Sequence, residues 1–109
     1  MVERTSLDRL FHAVAHEARR DMLDRLAAQD LTIGALAEPF EMSFPAASKH
    51  VRVLESVGLI ERTVEGREHR CRLRGATLEP ASAWLQRYER YWTERLDALE
   101  DLIARSDDR

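Results

Sequence analysis

A chain of 109 residues with one cysteine cannot build an intrachain disulfide framework or a cysteine-rich zinc finger. Its four glycines and three prolines are scattered, so no flexible linker or low-complexity tract is present. No apolar run approaches the roughly 18 residues that a membrane span needs. The start, Met1-Val2-Glu3-Arg4-Thr5, is charged with no apolar stretch behind it, and no signal peptide is expected. There is no Gly-rich phosphate loop, no recognisable acid/base carboxylate pair and no supported Ser/His/Asp arrangement, which argues against an enzyme. One cytoplasmic domain spanning 1–109 is the expectation.

What is present is 44% hydrophobic residue, regularly spaced, and 34% charge, with a formal net charge of -3. A negative total speaks against phosphate binding until it is divided along the chain. Residues 1–48 carry 5 basic and 8 acidic side chains, residues 49–78 carry 7 and 4, and residues 79–109 carry 5 and 8. The middle is therefore a basic island of +3 between two segments of -3. Sixteen of the 17 basic residues are arginine, which fits bidentate phosphate and guanine contacts and fits equally the codon bias of a GC-rich genome.

Ser6 reads as the N-cap of a first helix carrying Leu7, Leu10, Phe11 and Val14 at helical spacing. A second helix, about Glu17 to Ala28, repeats the pattern and breaks at Gln29-Asp30. Thr32 caps a third, short helix over Ile33, Leu36 and Ala37 that must stop near Pro39. Ser43 then caps a helix over about 43–57, with Pro45 tolerated in its first turn and Gly58 at its end. Ala47, Val51 and Leu54 form its inward stripe, while Pro45, Ser48, Lys49 and Arg52 lie opposite.

Past Gly58 the period shifts toward two. Leu59–Val64 and His69–Arg74 read as strands of a hairpin, a wing over about 59–74, with Gly66 supplying positive φ in the turn. Cys71 and Leu73 alternate with Arg70, Arg72 and Arg74, so one face is apolar and the other a guanidinium ladder. The last segment, about 78–106, reads as one long helix. Its stripe of Leu85, Tyr88, Trp92, Leu96, Leu99 and Ile103 is too wide for a small domain to bury, which predicts a homodimer.

This order of elements, mainly α with a small β-hairpin, describes a winged helix-turn-helix that is dimeric through its terminal helices. The 43–57 helix would enter the major groove, with Ser43, Pro45, Ala46, Ser48, Lys49 and His50 near base edges and Arg52 on a phosphate. Arg67, His69 and Arg70 are wing contacts to the flanking backbone or minor groove, with Arg62 and Arg72 as further candidates. Arg19 and Arg20 read equally as phosphate contacts or as partners of Glu17, Asp21 or Asp24. A dimer would set two recognition helices roughly 34 Å apart and so require double-stranded DNA bearing a palindromic operator.

The run from Phe40 to Ile60, with its Ser43-Phe44-Pro45-Ala46-Ala47-Ser48-Lys49-His50 stretch and Val53-Leu54-Glu55-Ser56-Val57-Gly58-Leu59-Ile60, strongly resembles the ArsR/SmtB family. Arg19-Arg20, the Gly66-Arg67 wing and the aromatic closing helix extend the likeness over about 7–103. It is most similar to the branch whose members lack metal sites, some encoded beside START-like lipid-binding proteins. The resemblance implies a homodimeric bacterial repressor, often autoregulatory, released by an inducing event. The family's familiar metal sites need a Cys-x-Cys pair in the third helix, or Asp, His and Glu in the closing helices. Thr32-Ile33-Gly34 has no thiolate and 78–106 has no histidine, so no metal and no cofactor are expected. His12 and His16 at i, i+4 are the remaining weak metal candidates, and Cys71 reads as a small buried residue in preference to a redox sensor. The rival readings are a winged-helix module that binds only protein, and a metal- or thiol-sensing repressor.

Overall fold

The computed structural model describes the backbone of residues 2–107 and the side chains of residues 6–106. Two helices, α1 (Val2–Val14) and α2 (Glu17–Ala28), precede a two-residue strand β1 (Leu31–Thr32), a short α3 (Ile33–Ala37) and a 3-10 turn at Glu38–Phe40. Helix α4 (Phe44–Ser56) leads into strands β2 (Ile60–Glu65) and β3 (Glu68–Leu73). A 3-10 turn at Gly75–Leu78 then runs into α5 (Glu79–Gln86) and α6 (Glu89–Asp107). Residues up to Glu79 and residues from Pro80 onward form two compact units. Among the described residues no helix is long and apolar enough to cross a membrane.

Helical spacing in the first unit translates into burial. Leu10 and Ala13 of α1, Met22 and Leu26 of α2, Ile33, Leu36 and Ala37 of α3 and Ala47, Val51 and Leu54 of α4 are all buried. Leu59, Ile60 and Cys71 close this core from the strand side. Arg25, in the last turn of α2, donates from Nη1 to the carbonyls of Ala35 (3.0 Å) and Leu36 (3.2 Å). A cation thereby satisfies the open C-terminal end of α3 and ties it to α2.

Three expectations change. The hairpin is a three-stranded antiparallel sheet of order β1-β3-β2, because Leu31 pairs with Cys71 and Thr32 with Arg70. The first helix starts before Ser6, which is an interior, exposed position and not its N-cap. The closing segment is two helices. Arg87 N–H donates to Trp84 O (3.3 Å) and Tyr88 N–H to Leu85 O (3.0 Å), two successive i→i−3 bonds that tighten the chain before Trp92 N–H resumes i→i−4 bonding to Tyr88 O (3.1 Å). No glycine or proline marks that break.

Candidate nucleic-acid interface

Both ends of α4 are held by the bonds the sequence foretells. Ser43 has extended backbone, and its side chain accepts from Ala46 N–H at 3.2 Å, with Pro45 in the first turn. At the other end Gly58 has φ +85°, its N–H donates to Glu55 O (3.0 Å), and Leu59 N–H donates to Leu54 O (3.0 Å). These are the two bonds of a Schellman motif, and the flanking Leu54 and Leu59 are both fully buried. Thr77 Oγ1 donates to Gly58 O at 2.6 Å, and Arg74 N–H to Leu59 O at 2.8 Å. The helix therefore passes into the wing through a bonded corner.

At 100° per residue, α4 has an inward stripe (Ala47, Val51, Leu54), two flanks and a free face. The flank carrying Glu55 meets the wing. Arg62 donates from Nε and Nη2 to the two Glu55 oxygens at 3.2 and 2.5 Å, a bidentate pair. The guanidinium holds the Glu55 carboxyl below the usual carboxylate range, and Arg62 is raised in turn. Register explains the meeting: Arg62 pairs with Cys71, on the inward side of the sheet. Arg62 is thus an inward strut of the wing.

The opposite flank carries His50 and meets α2. Arg19 Nε donates to His50 Nδ1 at 3.1 Å, while Arg19 Nη1 reaches Ala13 O at 3.5 Å. The rings of His16 and His50 stand 4.8 Å apart. Burial first, then the charges of Arg19, His16 and Lys49, hold His50 below the usual imidazole value. Arg20 Nη1 donates to Val14 O at 2.8 Å. Both arginines of the pair thus serve the C-terminal carbonyls of α1, and neither forms an ion pair with Glu17, Asp21 or Asp24.

The wing arginines sort by partner. The turn is two residues long with positive φ at Gly66 (+62°) and not at Arg67, the pattern of a II′ turn. Arg70 pairs with Glu65 (3.5 Å), Arg72 with Asp30 (3.4 Å) and Arg74 with Glu61 (3.7 Å). His69 faces Arg62, its Nδ1 3.4 Å from Nη1. Arg67 at the tip, with Lys49 and Arg52 on the free face of α4, has no ion pair among the described residues, and all three are exposed. Pro45 and Ser43 are exposed beside them, whereas Ala46, Ser48, His50, His69 and Arg70 are half-buried. Cys71 is fully buried, and burial pushes its thiol up, away from thiolate chemistry. His12 lies on α1 and His16 in extended backbone at the start of α2, so the two share no continuous helix. Among the described residues no group of three or more His, Cys, Asp or Glu is placed to hold a metal ion.

In the second unit Leu85, Tyr88, Trp92, Leu96, Leu99 and Ile103 are each 39–60% exposed. Leu85 stands on α5, Tyr88 in the tightened turn and the other four on α6. Tyr91 is exposed beside them under the Arg95 guanidinium, 4.2 Å from its ring centroid. So long an apolar stripe on one protomer marks an interaction surface.

The arrangement has counterparts in known proteins. A family model described as a helix-turn-helix domain matches residues 14–63. The chain is 33% identical over 100 residues to the HTH-type transcriptional regulator Rv2034 of Mycobacterium tuberculosis, covering 90% of this chain and 89% of that one. Its fold matches the crystal structure of an ArsR family transcriptional regulator with a TM-score of 0.75 at 32% identity, over 83% of this chain and 93% of the other. It also matches a homodimeric winged helix-turn-helix DNA-binding domain from Mycobacterium bovis, a possible ArsR-family regulator, with a TM-score of 0.63 at 29% identity over 75% and 76% of the two chains.

Proposed function

Because the chain belongs to the ArsR family of winged helix-turn-helix transcriptional regulators, we propose that it represses transcription by seating two copies of α4 in the major groove of an inverted-repeat operator. As a member of that family it is a DNA-binding transcriptional regulator, and it works as a homodimer. The observation that carries the finer reading is the sorting of the basic island. The acid partners of Arg62, Arg70, Arg72 and Arg74 lie within the protein, whereas Lys49, Arg52 and Arg67 have none among the described residues. Lys49 serves base edges, Arg52 a phosphate and Arg67 the backbone flanking the groove. Ser43, Pro45, Ala46 and Ser48 line the same end of the helix. His50, His69 and Arg70 remain at the margin, their inner sides committed to protein partners.

The dimer forms through the α5–α6 stripe, and two-fold symmetry in the protein asks for two-fold symmetry in the DNA. Repression is what the resemblance implies, and occlusion of a promoter by a bound dimer suffices for it. The reading assigns no catalysis and places the protein in the cytoplasm, with the chromosome. Its test is a titration against duplexes selected from a random pool, repeated at two salt concentrations with nonspecific competitor. Enrichment of an inverted repeat supports it; a protein that retains no duplex refutes it and favours a module that binds only protein.

A further inference from the structure

Among the described residues up to Glu79, two large apolar side chains stay exposed, Val64 on the wing and Phe44 on the first turn of α4. Phe44 is 56% exposed although Ala47 and Val51, three and seven residues on, are fully buried. Helical side chains lean toward the N-terminus of their helix, so the ring of a first-turn residue projects past the end of the helix.

The capped end of α4 leaves little for an anion. Ser43 occupies the Ala46 N–H, the Ala47 N–H donates to Ser43 O at 3.0 Å, and Pro45 has no N–H. Few backbone donors remain for an anion, and the surface offered is Phe44, Pro45 and Ala46. Beyond the capping Ser43, polar and cationic reach starts a turn later, at Ser48 and Lys49. An apolar tip entering the major groove meets one apolar base substituent, the C5-methyl of thymine; every other base edge there presents hydrogen-bonding atoms.

We propose that Phe44 packs on a thymine C5-methyl group and sets an A·T requirement at one position of each operator half-site. This rests on the DNA-binding reading above. The aromatic ring adds selectivity by excluding water from a methyl that uracil lacks, and the neighbouring Lys49 supplies affinity that does not depend on that methyl.

The test starts from the duplex that the full-length protein selects from a random pool. Each thymine is replaced in turn by deoxyuridine, and affinities are measured for the unaltered protein, Phe44→Ala and Phe44→Leu. One position per half-site should weaken the unaltered protein roughly fourfold, the effect of one buried methyl group. Phe44→Ala should bind the thymine and deoxyuridine duplexes equally, and Phe44→Leu should keep part of the difference. The proposal is overturned if no deoxyuridine weakens the unaltered protein, or if Phe44→Ala keeps the full methyl effect. Thermal melting checks that both variants fold, and if Phe44→Ala binds too weakly to measure, Phe44→Leu carries the comparison. A selected sequence without methyl sensitivity removes only the role of Phe44. A pool that yields no sequence removes the DNA-binding reading with it.

Discussion

Arg19 donates from Nε to Nδ1 of His50 at 3.1 Å, joining α2 to the flank of α4. An Nδ1 that accepts leaves the proton of a neutral ring on Nε2, so the bond requires the uncharged imidazole. His16 at 4.8 Å and the Lys49 ammonium on the preceding residue add positive potential to the same place.

A pH dependence follows from that bond. The folded His50 value lies below its ordinary 6.5 because of burial, Arg19, His16 and Lys49, in that order. The unfolded chain therefore takes up the proton first. The stabilisation is complete above about pH 6.5 and is lost as pH falls through the lower folded value. Urea midpoints at pH 8 and pH 5 should fall further for the unaltered protein than for His50→Asn, which keeps an acceptor and cannot protonate. Equal falls would show that the contact is energetically silent.

Glu55 and Arg62 fix the wing against the helix. Arg62 is 19% and Glu55 36% exposed at the side chain, so water screens the pair only in part. A double-mutant cycle with Glu55→Gln and Arg62→Gln should give a coupling of about 1 kcal/mol, at the upper end for partly exposed pairs. Glu55 lies below its ordinary 4.5, chiefly through the Arg62 hydrogen bond, so its contribution is present above about pH 4.5 and fades as pH falls through the folded value. Additive single effects would remove the strut from the account.

Lys49 and Arg67 should fail differently. Lys49→Ala should weaken operator binding by about 1–3 kcal/mol with an unchanged melting temperature, since the side chain is exposed and forms no ion pair among the described residues. Arg67→Ala should instead lower the slope of log affinity against log salt by about 1 for each phosphate that a subunit no longer neutralises. Titrations at several salt concentrations separate the two, and an unchanged slope would place the wing tip away from the backbone.

Trp92 is 51% exposed in the middle of the α5–α6 stripe. Trp92→Asp places a charge in the middle of the proposed dimer face, so sedimentation should report a monomer. Operator affinity should fall with it. A monomer that still binds the palindrome tightly would contradict the two-fold geometry.

Much of the fold is legible in the sequence because the signals are local. Thr32 accepts from Ala35 N–H at 3.2 Å, Ser43 caps α4, and Gly58 and Gly66 take the positive φ that their turns require. The buried stripe of α4 follows from its 3.6-residue period. Strand β1 is illegible because two residues show no alternation, and Thr32 already reads as a cap. The break at Arg87-Tyr88 has no glycine or proline to announce it. Arg19 and Arg62 belong to a third kind. Sequence leaves Arg62 a candidate for phosphate and Arg19 open between phosphate and its acidic neighbours, and only the packing shows that a glutamate, a carbonyl and an imidazole have claimed them first.

The corner at Gly58-Leu59 makes a single stiff lever of what the chain spells as two parts. Leu59 is bonded back to Leu54 and accepts from Arg74, Thr77 secures Gly58, and the glutamate–arginine strut braces the arm above. Such a lever has no elbow: a displacement at the wing tip is delivered to α4. If α4 and the wing meet DNA as proposed, whatever loosens this regulator must therefore carry both off together.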